Sequence, residues 1–345
     1  MKKSVIVLAT SAAVLATSAA SAADVSVKVS GQVNRVVTYA DNGTEDDVLF
    51  QDNLNTGTRL RWVGQAKISD GLKVGVNIET QLATNSSGGG GAQGLGDPDT
   101  DNGQAFDSRK RELWFKGGFG KITLGQGDGA ANGTSEIDLS GTWLGDYSGN
   151  NLDDAIVFDN GIRNNQVFTN FDGLSRNDRL RYDTPSFGGL GVAVSVGQDR
   201  SELGLYYKQK FGGGSKLKAA LGYVSNDGGT GAGSSIKQLG LSASYITAGG
   251  FNVTGQYGES DVNDADGYYI KVGQKFGANA VSLSYNVVND LTAIGNEGTR
   301  VNLAWVRKVG KGVDIYGSLQ TSSLDTIGPD PDDVFQASIG SRIKF

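Results

Sequence analysis

The last twelve residues, Val334-Phe335-Gln336-Ala337-Ser338-Ile339-Gly340-Ser341-Arg342-Ile343-Lys344-Phe345, decide the fold. Phe335, Ala337, Ile339, Ile343 and Phe345 fall on one parity, broken only by Ser341, while Gln336, Ser338, Gly340, Arg342 and Lys344 fall on the other. A period of two makes a strand with one apolar and one polar face. A strand crossing a bilayer takes about 9–11 residues and presents every second one to lipid. Similar segments recur back to Asp24, the pattern of a transmembrane β-barrel.

Working backwards gives sixteen strands, from Asp24–Thr38 to Val334–Phe345. An even number is expected when both chain termini lie on one side. The connections alternate between two kinds. Tight turns such as Asp70-Gly71, Gly117-Gly118-Phe119-Gly120 and Gly310-Lys311-Gly312 alternate with connections that are mostly long and polar: Tyr39–Gly57, Thr84–Gln104, Gly127–Asn177 and Ser323–Asp333 among them. Short turns on one side and long loops on the other are the habit of outer-membrane barrels. A soluble β-sandwich has no such alternation and has open edges to protect.

Lys2 and Lys3, an apolar stretch from Val5 to Ala20, and small residues at Ala20-Ser21-Ala22 or Ser21-Ala22-Ala23 predict an export signal over residues 1–23 and a barrel over 24–345. Removing that segment leaves 29 basic against 37 acidic side chains, a balance that argues against nucleic acid as a partner. Cys and His are both absent. Ser-His and Cys-His nucleophiles and imidazole zinc sites are therefore excluded, and no enzyme activity is expected. The four prolines, Pro98, Pro185, Pro329 and Pro331, all sit in candidate turns or loops, where a missing N–H breaks no ladder.

Parity sorts the faces. Leu60, Trp62, Ala66 and Ile68 are assigned to lipid and Arg59, Arg61, Gln65 and Lys67 to the interior; Leu72, Val74, Val76 and Ile78 oppose Lys73, Asn77 and Glu79 in the same way. A charge on the lipid face near the midplane costs ~2–4 kcal/mol, so the charged set marks a wet interior.

These segments carry a family resemblance. Gly57-Thr58-Arg59-Leu60-Arg61-Trp62-Val63-Gly64 with Asp70-Gly71-Leu72-Lys73-Val74, then Arg111-Glu112-Leu113-Trp114-Phe115 through Gly118-Phe119-Gly120-Lys121-Ile122-Thr123-Leu124-Gly125, resemble consecutive hairpins of Gram-negative general diffusion porins. Arg181-Tyr182-Asp183-Thr184-Pro185 resembles a third such hairpin, and Phe345 their terminal assembly signal; the likeness is to the alphaproteobacterial type. The sequence departs at Gln126, where such porins often carry Arg, and at Ile343, where an aromatic is common.

The resemblance implies an all-β, sixteen-stranded antiparallel barrel with an inward-folded third loop, a homotrimer in the bacterial outer membrane. It also implies contact with lipopolysaccharide and with the barrel-assembly machinery. Gly127–Asn177 is the longest loop and stands in the required place. A loop of this length is expected to pack against something. Its acids Glu136, Asp138 and Asp146 are expected to form the loop side of a pore constriction, facing Arg35, Arg59 and Arg61 on the wall.

The function expected is passive diffusion of small hydrophilic solutes and ions. Asp41, Glu45, Asp46, Asp47 and Asp52 in the first loop, with Asp325, Asp330, Asp332 and Asp333 in the last, predict a cation preference. A solute-specific channel and an adhesin stand as alternatives. No cofactor is expected. Asp97–Gly103 has the look of a calcium loop with its Gly one place late and Ser108 where a bidentate Glu belongs, so only weak divalent-cation binding is expected of the acidic loops.

Overall fold

The seam that closes the molecule joins the first strand to the last, from Gln32 opposite Lys344 to Asp41 opposite Phe335. The computed structural model describes residues 25–345 except 83, 86, 88–105, 151, 153–155 and 229–234. The expected export signal and Asp97–Gly103 lie outside the described residues. Among the described residues no helix is long and apolar enough to cross a membrane.

The strands are β1 (Val25–Asp41), β2 (Asp46–Asp52), β3 (Arg59–Ser69), β4 (Leu72–Gln81), β5 (Asp107–Gly117), β6 (Gly120–Asp128), β7 (Arg176–Asp183), β8 (Leu190–Val196) and β9 (Arg200–Lys210). The second half holds β10 (Lys216–Asn226), β11 (Ile236–Ile246), β12 (Phe251–Ser260), β13 (Asp266–Phe276), β14 (Asn279–Asn289), β15 (Glu297–Gly310), β16 (Val313–Asp325) and β17 (Val334–Lys344). Every pairing is antiparallel, and all strands belong to one sheet closed by β1 against β17.

β2 and β3 share one place in the ring. β3 pairs with the first half of β1, Val25 to Gln32, and β2 with the second, Arg35 to Asp41. Among the described residues, sixteen wall positions therefore contain seventeen strands. Part of the expected first loop is thus strand. The break at 53–58 leaves backbone carbonyls without a ladder partner, and inward side chains of β1 supply donors: Gln32 Nε2 to Gly57 O at 2.9 Å and Asn34 Nδ2 to Thr56 O at 3.1 Å.

Closure of this kind is the strand solution open to a chain in hydrocarbon, because it leaves no edge of unpaired N–H and C=O groups. The outward face is apolar: Ile339 is 62% exposed and Leu303 50%, with nothing but surroundings to cover them. The inward face is not uniformly wet. Val36, Leu144, Leu152, Val306 and Tyr316 form one buried cluster; Leu49, Ile156, Phe158, Val167, Phe171 and Leu324 anchor a second. In each, residues of the 129–175 loop lie against inward residues of the wall.

Candidate functional site: the narrowed lumen

The 129–175 loop enters the barrel and follows its inner wall. Ala130 N donates to Ser195 Oγ on β8 at 2.9 Å, Ile137 N to Ser242 Oγ on β11 at 3.0 Å, and Leu139 N to Ser244 Oγ at 2.9 Å. Thr142 and Ser282 on β14 share a hydrogen bond of 2.7 Å, Asn302 on β15 donates to Gly145 O at 3.1 Å, and Asn150 donates to Gln320 on β16 at 2.8 Å. The loop ends its circuit at the β2–β3 break, where Asn53 Nδ2 donates to Leu144 O at 2.8 Å and Trp143 Nε1 to Asn55 O at 3.0 Å.

A band of glycines makes this close approach possible. Gly204, Gly222, Gly240, Gly258 and Gly267 are direct cross-strand neighbours on β9 to β13. A Cβ at Gly204 would lie 2.1 Å from Ala130 O, one at Gly222 2.2 Å from Thr134 Oγ1, and one at Gly258 2.4 Å from Phe171 Cβ. The loop backbone occupies the space that side chains would fill elsewhere in the wall.

Two of the three expected loop acids lie behind the loop rather than in the pore. Asp138 and Asp146 turn toward Lys271 on β13, at 2.7 Å and 3.8 Å. Asp146 also accepts from Tyr269 OH and Ser284 Oγ, both at 3.0 Å. Burial works against the Asp138 charge, but the Lys271 ammonium outweighs it and holds the carboxyl below the usual carboxylate range. For Asp146 burial wins and raises the carboxyl, with Lys271 opposing. The cause of the arrangement is Lys271, which is 1% exposed: a buried ammonium requires anions and hydrogen-bond acceptors around it.

Arg35 is also displaced from expectation. It shares the outward parity of Val33, which is 47% exposed, while Asn34 and Val36 point in. Its guanidinium reaches Thr84 O at 3.0 Å and Asp52 at 4.0 Å. Asp52 itself is 1% exposed, so it takes no part in an exposed acidic rim. The adjacent Val36-Val37 blurs the alternation, because Val36 is an inward apolar anchor for Leu144 and Leu152. Gln126 is likewise outward, paired with Arg111, and is not a pore position.

Glu136, Arg59 and Arg61 do come together. They line a cavity of about 1260 Å³ between the loop and the wall. Glu79 on β4 is the hub of its basic side, 2.8 Å from Arg109, 3.5 Å from Arg59 and 4.0 Å from Arg61. Opposite stand Glu136, Asp172 and the stacked rings of Trp143 and Tyr147, 4.1 Å apart. Burial raises both carboxyls, Glu136 well above the usual range with Asp172 adding to the effect, and Asp172 to about 6. Asp172 is fixed by Gly133 N at 2.6 Å and Ser135 N at 2.8 Å.

Toward the short-turn side a second cavity, about 750 Å³, adjoins the first. The two share Lys110 and Asp128, which form an ion pair with each other; Asp128 also holds Arg176 at 3.1 Å. Arg179 and Arg181 clamp the root of the loop, Arg179 donating to Asp128 O at 2.9 Å and Arg181 to Gly129 O at 2.6 Å. Among the described residues the two cavities are lined by eleven basic and seven acidic side chains. Arg109, Lys110, Arg176 and Arg200 belong to this lining beyond the residues expected. Arg109 sits at a register shift between β4 and β5, where parity carries no information. No group of three or more metal-ligating side chains is present among the described residues.

A closed β-barrel with a loop folded into a polar, charge-lined lumen defines a channel-type outer-membrane protein. The family model for Gram-negative porins matches residues 9–326, and the chain belongs to that family. No curated protein matches. Among solved structures, the anion-selective porin from Comamonas acidovorans is similar with a TM-score of 0.68 at 18% identity, over 93% of this chain and 100% of that one. OmpT of Vibrio cholerae in its trimer form gives 0.58 at 15%, over 93% and 99%. A Rhodopseudomonas blastica porin variant gives 0.60 at 14%, over 93% and 100%. At these identities the likeness is one of fold, a multi-pass barrel of the outer membrane.

Proposed function

We propose that this porin is a passive channel for small hydrophilic solutes and ions, and that its narrow section favours anions. The observation that carries the sign is the excess of basic over acidic side chains along the two adjoining cavities, eleven against seven. The exposed acids of the first and last loops pull the other way, but they border open solvent, where a charge is screened over ~8 Å at physiological ionic strength. Charges facing one another across a walled passage are screened less and act on every ion that crosses. The sequence-based expectation of cation preference weighed the rim alone. The anion selectivity in the name of the Comamonas relative is in keeping with this sign. A homotrimer is the assembly we propose, in line with the trimer form of the Vibrio relative.

Single-channel recording across a salt gradient tests both parts. The expected result is an open, ohmic pore whose reversal potential has the anion sign at low salt, declining as salt rises. A cation-sign potential would return control to the acidic rim, and absence of open channels from correctly folded protein would favour the adhesin alternative.

A further inference from the structure

Below the Glu79 hub the inner wall carries lysines in one unbroken cross-strand row: Lys67 opposite Lys73, Lys73 opposite Lys116, Lys116 opposite Lys121. Like charges directly opposite each other destabilise a sheet, with Cβ atoms only ~4.5–5.5 Å apart. Only one end of the row is neutralised. Lys67 is paired with Asp70 at 2.5 Å, and Asp183, which stands opposite Lys121, is taken by Arg181 at 2.8 Å. Lys73, Lys116 and Lys121 have no ion pair among the described residues. They share a cavity of about 390 Å³ with Arg61, Gln65 and Trp114. Glu112 also lines it, but accepts from Arg179 and, at 3.0 Å, from Asn77.

The Trp114 ring lies over Gly75, where a Cβ would come within 2.4 Å of it, and Lys121 Nζ sits 5.8 Å from its centroid. The cavity is thus lined by an aromatic ring and by lysines of three adjacent strands. This group lies on the short-turn side, which in outer-membrane barrels is periplasmic.

We propose that Lys73, Lys116 and Lys121 form a binding site for a compact, multiply charged oxyanion at the periplasmic mouth. One such anion between three ammonium groups satisfies donors on all three strands and cancels the repulsion along the row. A monovalent ion cannot bridge them to the same extent. Charge-assisted hydrogen bonds to oxyanions are the strong kind, and their geometry is met by flexible lysine stems as point charges. The proposal rests on the lumen being open to solvent, not on the ion preference of the constriction.

The probe is inorganic phosphate, titrated calorimetrically into the detergent-solubilised full chain at constant ionic strength, with chloride as the comparison. The expected result is saturable phosphate binding, weakened about tenfold or more in Lys73→Gln/Lys116→Gln/Lys121→Gln. Lys308→Gln on β15, across the barrel, should leave it unchanged. Should the triple variant fail to fold, as judged by heat-modifiable migration, Lys116→Gln alone is expected to weaken binding in the same direction. Saturable binding that persists unchanged in the lysine variants, binding that chloride matches at equal ionic strength, or no saturable binding by the wild-type chain would each overturn the site. Because binding is read in detergent, a pore of the cation sign leaves this result standing, and a silent titration leaves the channel reading intact.

Discussion

Lys271 Nζ and Asp138 Oδ2 meet at 2.7 Å between the 129–175 loop and β13, where Lys271 is 1% exposed. The pair joins residues 133 positions apart and pins the loop to the wall. Removing one member of a buried pair strands the other and costs about 3–5 kcal/mol. Lys271→Met should therefore release the loop while the barrel persists. Proteolysis should then cut within 129–175, and Lys271→Met/Asp138→Asn should restore part of the protection. Equal protease resistance in wild type and Lys271→Met would show that the ion pair does not hold the loop.

The glycine band predicts a change of bore from a wall substitution that touches no charge. Gly222→Leu places carbons where Thr134 Oγ1 lies 2.2 Å from the ideal Cβ, and Gly240→Val does the same against Ser135 Oγ at 2.1 Å. The loop must lift. Either variant should shift single-channel conductance, whereas Gly255→Ala, whose Cβ meets nothing within 4 Å, should leave it unaltered.

The carboxyls of Glu136 and Asp172 both line the passage, and burial raises both, Asp172 to about 6. Asp128 and Arg176 act on Glu136 from the same cavity, in opposite directions. Lowering the pH through about 6 removes negative charge from a passage already basic, so anion preference should rise between pH 8 and pH 5. A raised folded-state carboxyl also contributes stability that is full at low pH and lost as the pH rises through that value, so loop seating should be firmer at pH 5. Glu136→Gln/Asp172→Asn should flatten both dependences, and reversal potentials with loop proteolysis at the two pH values are the check.

Phe345 exchanges backbone hydrogen bonds with Gly31, at 2.9 Å and 3.1 Å, and completes the seam. Its ring lies where a Cβ on Gly31 would come within 2.6 Å. Phe345→Asp puts a charge on the outward face and should reduce the heat-modifiable folded form strongly in the outer-membrane fraction. Unchanged folded yield would mean that the seam closes without this residue.

The wall was legible in the sequence because a strand's two faces follow from side-chain alternation, a local property. The sixteen wall positions followed from it, while the entering loop was expected from the resemblance to porins together with its length and place. What alternation missed had nonlocal causes. Arg35 points outward because Val36 was recruited inward to seat Leu144 and Leu152, and nothing near Val36 reveals those partners. Asp138 and Asp146 belong to Lys271, a residue more than a hundred positions on. Arg109 was hidden by a bulge, and β2 by acidic residues that resemble loop but pair with β1. One nonlocal feature did leave a trace: Gly204, Gly222, Gly240 and Gly258 recur every 18 residues, the interval that successive strands of similar length need to return to one level of the barrel.

The loop that lines the wall also links the two ends of the chain's history. Its Leu144 carbonyl is held by Asn53, made early, while Asn150 is held by Gln320 and the Leu152 carbonyl by Gln336, made last. Without β16 and β17 the loop lacks the seats at Gln320 and Gln336, so a barrel missing them does not hold the same aperture. Closure of the seam and the setting of the bore are thus coupled, because the strands that close the ring also carry part of the seat of the loop that meters what passes through it.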